Sequence, residues 1–270
     1  MQRIEQVCET YAWYQSVGNQ VADDPLARYV SNAEHPDIWV ANHLSRVRAK
    51  TQTEIEQVLQ RANAVLAHCG HRMVIVDPMT PPEFVARLAL ENYKELSPTL
   101  QMVLEGPIVF KHSKGPLKEQ SRQIDLRPVS TEDDWQALYP LVRANHVEGS
   151  ASHHLLFDDD VTRSIVAGYR AKSHVAQFFI ASTEGIDCAY GSAIHGPIGM
   201  GIVEDLFTLK VFRQRGIATT IIARAVEYVR EGGMGSILIG THVSEAPKAL
   251  YAALGFVPHC VTRQYLLELA

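Results

Sequence analysis

At 270 residues, 46% hydrophobic and 20% charged, the chain has ordinary globular composition and enough length for one large core or two modest ones. A formal net charge of -5 argues against a general nucleic-acid-binding surface. No apolar run reaches the roughly 18 residues that span a bilayer, and the polar start Gln2-Arg3-Ile4-Glu5-Gln6 lacks a signal peptide's apolar core, so the cytoplasm is the default location.

Along the chain, Val7, Tyr11, Tyr14 and Val17 recur at helical spacing, so the first thirty residues read as helical. A polar, proline-interrupted stretch follows from Ser31 to Pro36. Residues 53–67 form an amphipathic helix, with Ile55, Val58, Leu59, Ala62, Val65 and Leu66 on one face. A short buried strand spans 71–76. Pro81-Pro82 can open a helix over 83–90, since proline is tolerated in a first turn. Strands at 100–104 and 108–110 flank the turn Glu105-Gly106-Pro107. Residues 111–122 are polar and basic, with Gly115-Pro116 inside. They read as a linker, placing a domain boundary near residue 120.

The second half restarts with a strand at 124–128, and Ser130 with Asp133 signals a helix over 135–144. A histidine- and acid-rich loop is expected from His146 to Asp159, then a helix at 160–171. Strands at 175–181, 188–195 and 202–209 follow, then a helix at 218–230. A strand (236–241), a helix (246–254) and a last strand (256–267) complete the pattern. The four cysteines, Cys8, Cys69, Cys188 and Cys260, form no CxxC pair and read as reduced, mostly buried thiols.

The most informative segment is Arg213-Gln214-Arg215-Gly216-Ile217-Ala218, between a strand-like and a helix-like run. A loop entering a helix N-terminus gathers unpaired backbone N–H groups at the positive end of the helix dipole, which suits phosphate oxygens. Gly216 lets the backbone approach an anion with no Cβ in the way, and Ala218 keeps the first turn thin. Arg213 and Arg215 add charge. Together these residues read as the pyrophosphate cradle of a nucleotide-like cofactor.

With Arg213, Gly216 and Ala218 in place, the segment resembles the [Q/R]-x-x-G-x-[G/A] hallmark of the GNAT superfamily of acyl-CoA N-acyltransferases. The run Val203 to Leu209 upstream and Ala249-Leu250-Tyr251-Ala252-Ala253-Leu254-Gly255-Phe256 downstream resemble the same family. The resemblance covers roughly residues 122–270. It implies an α/β fold with a mixed, mostly antiparallel sheet, splayed central strands and flanking helices. Residues 121–270 would be the acyltransferase domain and 1–120 a degenerate GNAT-like or accessory α/β domain without cofactor. Asp37, Trp39, Asn42 and His43 form a polar-aromatic cluster that would line the acceptor pocket, the alternative being a tryptophan that anchors the interdomain interface.

What the resemblance implies for the site can be stated residue by residue. Main-chain groups of Leu206, Phe207 and Thr208 would pair with the pantetheine arm of acetyl-CoA (or another acyl-CoA). The pyrophosphate would lie on the amides of Gln214, Arg215, Gly216, Ile217, Ala218 and Thr219. Ser244 stands where the family often has an asparagine contacting pantetheine. Tyr251 is the expected general acid for the leaving thiolate, with ring packing in the core as its alternative. Glu204 is the best candidate base and Asp205 the next, on opposite strand faces. His146, Glu148, His153 and His154 are substrate-side candidates. The spacing of His153, His154 and residues 158–160 matches no ligand pattern, so no metal is expected.

The implied activity is transfer of an acetyl or acyl group from CoA to the primary amine of a small molecule through a ternary complex. Two alternatives remain. One is a GNAT-like transferase taking an aminoacyl or acyl group from tRNA, for which Lys111, Lys114 and Lys118 supply local basic charge. The other is a non-catalytic acyl-CoA-binding protein. Exposed edges of such sheets often pair, which leaves a homodimer open.

Overall fold

A computed structural model describes residues 3–109, 124–153 and 158–269. The chain divides into two compact units. The first combines residues 1–102, 240–248 and 258–270; the second combines 103–239 and 249–257. The boundary expected near residue 120 lies outside the described residues. Compactness groups most of the last strand with the N-terminal elements rather than with 121–270.

In the first unit, α1 (Arg3–Ser16) is half the length that helical spacing suggested. Gly18 adopts φ 82°, the left-handed conformation that ends helices. The chain then turns into β1 (Gln20–Asp23) and β2 (Arg28–Ser31), an antiparallel pair. Asp24 builds that turn: its Oδ1 accepts from the amides of Leu26 (2.7 Å) and Ala27 (2.9 Å). Strand β3 (His43–Ser45) follows.

Helix α2 (Gln52–Val65) starts with a capping box, in which Thr51 Oγ1 accepts from the Glu54 amide and Glu54 Oε2 accepts from the Thr51 amide. Ile55, Val58, Leu59 and Ala62 are buried, the face read from the sequence. They meet Tyr29, Leu44, Val74, Phe84 and Leu88 in one core. The remaining elements are β4 (His71–Val76), α3 (Pro82–Leu90), β5 (Lys94–Glu95) and β6 (Thr99–Leu104). The last strand, β12 (Val257–Glu268), is antiparallel to β4, giving the order β1-β2-β3-β4-β12 with β5 also on β12.

All four cysteines are free thiols. Cys8 and Cys260, distant in sequence, share a thiol–thiol hydrogen bond that, with burial, pushes the Cys8 thiol up.

The second unit carries β7 (Ile124–Pro128), β8 (Ala176–Thr183), β9 (Ile186–Ile194), β10 (Met200–Thr208) and β11 (Ser236–His242), paired in that order. Only the β10–β11 pair is parallel. Helix α4 (Glu132–His153) starts one residue from the predicted signal: the Thr131 hydroxyl accepts from the Asp134 amide, and the Asp134 carboxylate accepts back from the Thr131 amide. It also runs on to His153, through the segment expected as a loop. Histidine and acid content suggested an irregular segment, yet residues 146–153 contain no proline and only one glycine.

Three further α-helices follow: α5 (Asp159–Lys172), α6 (Ile217–Glu231) and α7 (Pro247–Ala253), the last beginning two residues before the unit's own segment. Ile217 and Ile221 of α6 pack on Ala181, Cys188 and Ala189, with Leu206, Leu209 and Phe212 at the margin.

Candidate active site

The parallel register of β10 with β11 runs from Met200↔Ser236 to Val203↔Ile239 and ends there. From Glu204 onward, β10 keeps a neighbour only on its β9 side. That pairing is itself interrupted: Glu204 lies opposite Ser192, and the next registered pair is Phe207↔Tyr190. Three steps on β10 match two on β9, so one extra residue is accommodated in a bulge. Asp205 takes the strain with φ 56°, a conformation that aspartate tolerates better than most side chains.

The bulge interrupts the alternation that would put Glu204 and Asp205 on opposite faces. Alternation requires a regular pleat, and a positive φ breaks it. Both carboxylates act electrostatically on the same Lys172 ammonium, at the end of α5. Asp205 is held from two sides: Tyr169 Oη donates to Oδ1 at 3.0 Å and Ser192 Oγ to Oδ2 at 3.0 Å. Ser192 Oγ also lies 3.1 Å from the Glu204 carbonyl. Asn145 Nδ2 donates to the buried Tyr190 hydroxyl at 3.0 Å.

Burial, then the neighbouring Asp205, pushes the Glu204 carboxyl up to about 8, with Lys172 opposing. Burial likewise lowers the Lys172 ammonium, against the pull of Asp205 and then Glu204. A carboxylate of this kind can take a proton near neutral pH, which an ordinary glutamate near 4.3 does poorly.

Below the bulge, Leu209 donates its amide to the Cys188 carbonyl at 2.9 Å. By strand alternation the main chain of Phe207 also points to β9, while Leu206 and Thr208 point to the open side. The expectation of three outward residues therefore reduces to two. Of these, the Thr208 carbonyl already accepts from Arg213 Nε at 2.9 Å. Phe207 is buried, its ring 6.0 Å from that of Tyr190.

The turn after β10 alternates backbone signs, with Gln214 at φ 64° and Gly216 at φ 80°. Such alternation curls successive N–H groups into an anion-binding concavity. Gly216 is the N-cap of α6 and supplies no side-chain cap; the first intrahelical bond is Thr220 N–H to the Gly216 carbonyl at 3.0 Å. The amides of Ile217, Ala218 and Thr219 thus have no acceptor within the helix. A Cβ on Gly216 would meet no protein atom within 4 Å, so within the chain it is the backbone conformation that favours glycine there.

The two arginines are less available than the sequence suggested. Arg213 pairs with Glu148 at 2.8 Å and lies 5.8 Å from the Phe207 ring centroid. Arg215 is exposed and lies over Phe212.

Tyr251, in α7, is buried, with its ring 6.2 Å from Phe256. Ser244 is exposed, in the turn before α7 and within the first unit's share of the chain. His146 belongs to helix packing: its Nδ1 lies 2.9 Å from Thr162 Oγ1, and burial lowers its pKa. The side chain of His153 and all of His154 lie outside the described residues. Asp158 caps α5, accepting from the Val161 amide at 2.8 Å, and Asp159 accepts from Tyr139 Oη at 2.6 Å.

In the first unit, Asn42 is a structural knot. Its amide donates to the His35 and Ile38 carbonyls, and its oxygen accepts from the Asn32 amide at 2.8 Å and lies 2.9 Å from His68 Nε2. Trp39 packs near His71.

Sequence reasoning missed Asn145, Tyr169, Lys172, Tyr190 and Ser192. Tyr169 and Lys172 are three apart, on one helix face, which is a retrievable signal only once the partner strand is known.

Residues 174–258 match the family described as "Acetyltransferase (GNAT) domain". No functionally curated protein matches the sequence. Among solved structures, a GCN5-related N-acetyltransferase from Kribbella flavida is 12% identical with a TM-score of 0.70, covering 98% of this chain and 95% of its own. A GCN5-related N-acetyltransferase from Sphaerobacter thermophilus is 13% identical with a TM-score of 0.59, covering 84% and 73%. A tandem GNAT protein from the clavulanic acid biosynthesis pathway is 14% identical with a TM-score of 0.58, covering 82% and 71%. At these identities the likeness is one of fold, and it extends through the N-terminal elements.

Proposed function

We propose that this chain, a GNAT acyltransferase by its domain and fold, moves an acetyl group from acetyl-CoA to the primary amine of a small molecule through a ternary complex. One observation carries the reading: a carboxyl group pushed up to about 8 stands where β10 parts from β11, on the strand that runs into the amide-lined turn. The residues present suit the co-substrate. Outward main-chain groups at Leu206 and Thr208 can meet the amides of pantetheine, and the N–H groups from Gln214 to Thr219 can cradle the diphosphate.

The chemistry then divides between two side chains. An amine arrives mostly as ammonium and must lose a proton before its nitrogen can attack the thioester carbonyl; Glu204 takes that proton. As the new C–N bond forms and the C–S bond breaks, the departing thiolate needs a proton, which the Tyr251 phenol supplies. The bulge matters because it brings Asp205 and Glu204 into one electrostatic group, raising the proton affinity of the base.

Acetyl-CoA turnover against a panel of amines tests the proposal. Glu204→Gln should lower turnover by about 10²–10⁴-fold while CoA affinity holds, and Tyr251→Phe should lower it as well. If both variants bind CoA and turn over like the parent, the catalytic roles assigned here are wrong; a parent that binds acyl-CoA and turns over no amine is a binder.

A further inference from the structure

Resting on the base role proposed for Glu204, we infer that Asp205 and Lys172 are positioning residues that set the charge of the Glu204 carboxyl against one another at the β10 bulge. An extra residue in a strand is commonly left loose, yet Asp205 accepts hydrogen bonds from two different elements, Tyr169 on α5 and Ser192 on β9, each at 3.0 Å. Both carboxylate oxygens of Asp205 are therefore engaged, which leaves it poorly placed to collect a substrate proton.

Helix α5 supplies the counterweight. Tyr169 and Lys172 are three residues apart and share a face, so the turn that clamps Asp205 also brings the ammonium to the two carboxyls. The charged groups acting on Glu204 are Asp205, from its own strand, and Lys172, from α5. From β9, Tyr190 and Ser192 face the cluster as neutral groups, and Asn145 of α4 reaches it only through the Tyr190 hydroxyl. Each charge has one sign of effect. Asp205 makes the Glu204 proton harder to lose, and Lys172 makes it easier.

This arrangement holds Glu204 between two failures. Without Asp205 it would be too weak a base for an ammonium. Without Lys172 a still larger share of it would stay protonated at neutral pH, leaving less of the form that takes a proton.

The experiment is a titration of the full-length protein carrying ¹³C at glutamate side-chain carboxyls, read by NMR, with the Glu204 signal assigned by its loss in Glu204→Gln. It requires no acceptor substrate. Asp205→Asn should move the Glu204 midpoint down by about one unit or more. Lys172→Met should move it up, and Lys172→Arg should restore it. Asparagine tolerates the left-handed backbone, so the Asp205 variant keeps the bulge.

Midpoints that stay in place, or move the same way in both charge-removing variants, overturn the inference. A parental Glu204 that titrates near 4.3 does so too. Should Lys172→Met unfold, Lys172→Gln carries the same expectation. The base role falls separately, if Glu204→Gln retains parental turnover while the opposed shifts are seen.

Discussion

Gly201, in β10, offers the sharpest test of the packing beneath the site. A Cβ there would sit 2.0 Å from Val229 Cγ1, 3.2 Å from Val229 Cβ and 3.2 Å from the Ile194 carbonyl oxygen. None of these atoms belongs to a flexible chain end. Val229 is fully buried on α6, and a β-branched residue in a helix has essentially one χ1 rotamer, so it cannot swing aside. Gly201→Ala must therefore lift α6 from the sheet or bend β10.

Overpacking by one methyl costs about 1–3 kcal/mol, and a rigid neighbour places this site at the upper end. For a chain of this size that corresponds to a fall in Tm of roughly 2–12 °C. Scanning calorimetry measures it, with Tm preferred to an extrapolated free energy because a chain of two compact units need not unfold in one step. The control is Val229→Ala, alone and combined. If the clash is with Val229, the double variant loses less than the two single losses together, by about 0.5–3 kcal/mol of coupling. A Gly201→Ala protein melting within about 1 °C of the parent, or strictly additive losses, refutes the reasoning.

Two further outcomes follow from the same geometry. Glu148→Gln removes a carboxylate that pairs with Arg213 at an exposed position, so stability should change by less than about 1 kcal/mol; the released guanidinium should tighten CoA binding in calorimetry, and weaker binding would count against it. Glu204 has a folded-state proton affinity above its unfolded one, so its contribution to stability is complete below about 4.5 and is lost as pH rises through about 8. The melting temperature of the parent should accordingly fall relative to Glu204→Gln between pH 6 and pH 9, and parallel curves would show that Glu204 ionises in the folded state as it does in the unfolded.

The parts of the fold that local chemistry dictates could be read from the sequence, and the parts that depend on partners could not. The apolar face of α2, its start beside Thr51 and Glu54, and the entry into α6 through Gly216 are written in adjacent residues. The extent of α1 was overestimated because periodicity through Val17 outweighed Gly18, whose φ of 82° stops the helix. The full length of α4 was missed for the opposite reason, since His146 and Glu148 were weighed as site chemistry when their helical spacing packs one on Thr162 and pairs the other with Arg213.

The site shows the same division more clearly. Gly216 was identifiable, and its φ of 80° adds a backbone reason for glycine that the sequence did not disclose. Glu204 was identifiable as an acid at a strand end. What raises its proton affinity is not local, because a period-two reading takes no account of the bulge, of Lys172 or of burial. The bulge arises where β10 loses β11 and must still satisfy β9, a condition set by three strands together. Once it forms, Asp205 turns to Tyr169 and Ser192, and Lys172 comes within reach of both carboxyls. On the function proposed above, the parting of the strands that would open an edge for the co-substrate also gathers the charges around Glu204, so a substitution that restored regular pairing beyond Val203 is expected to cost binding and proton transfer together.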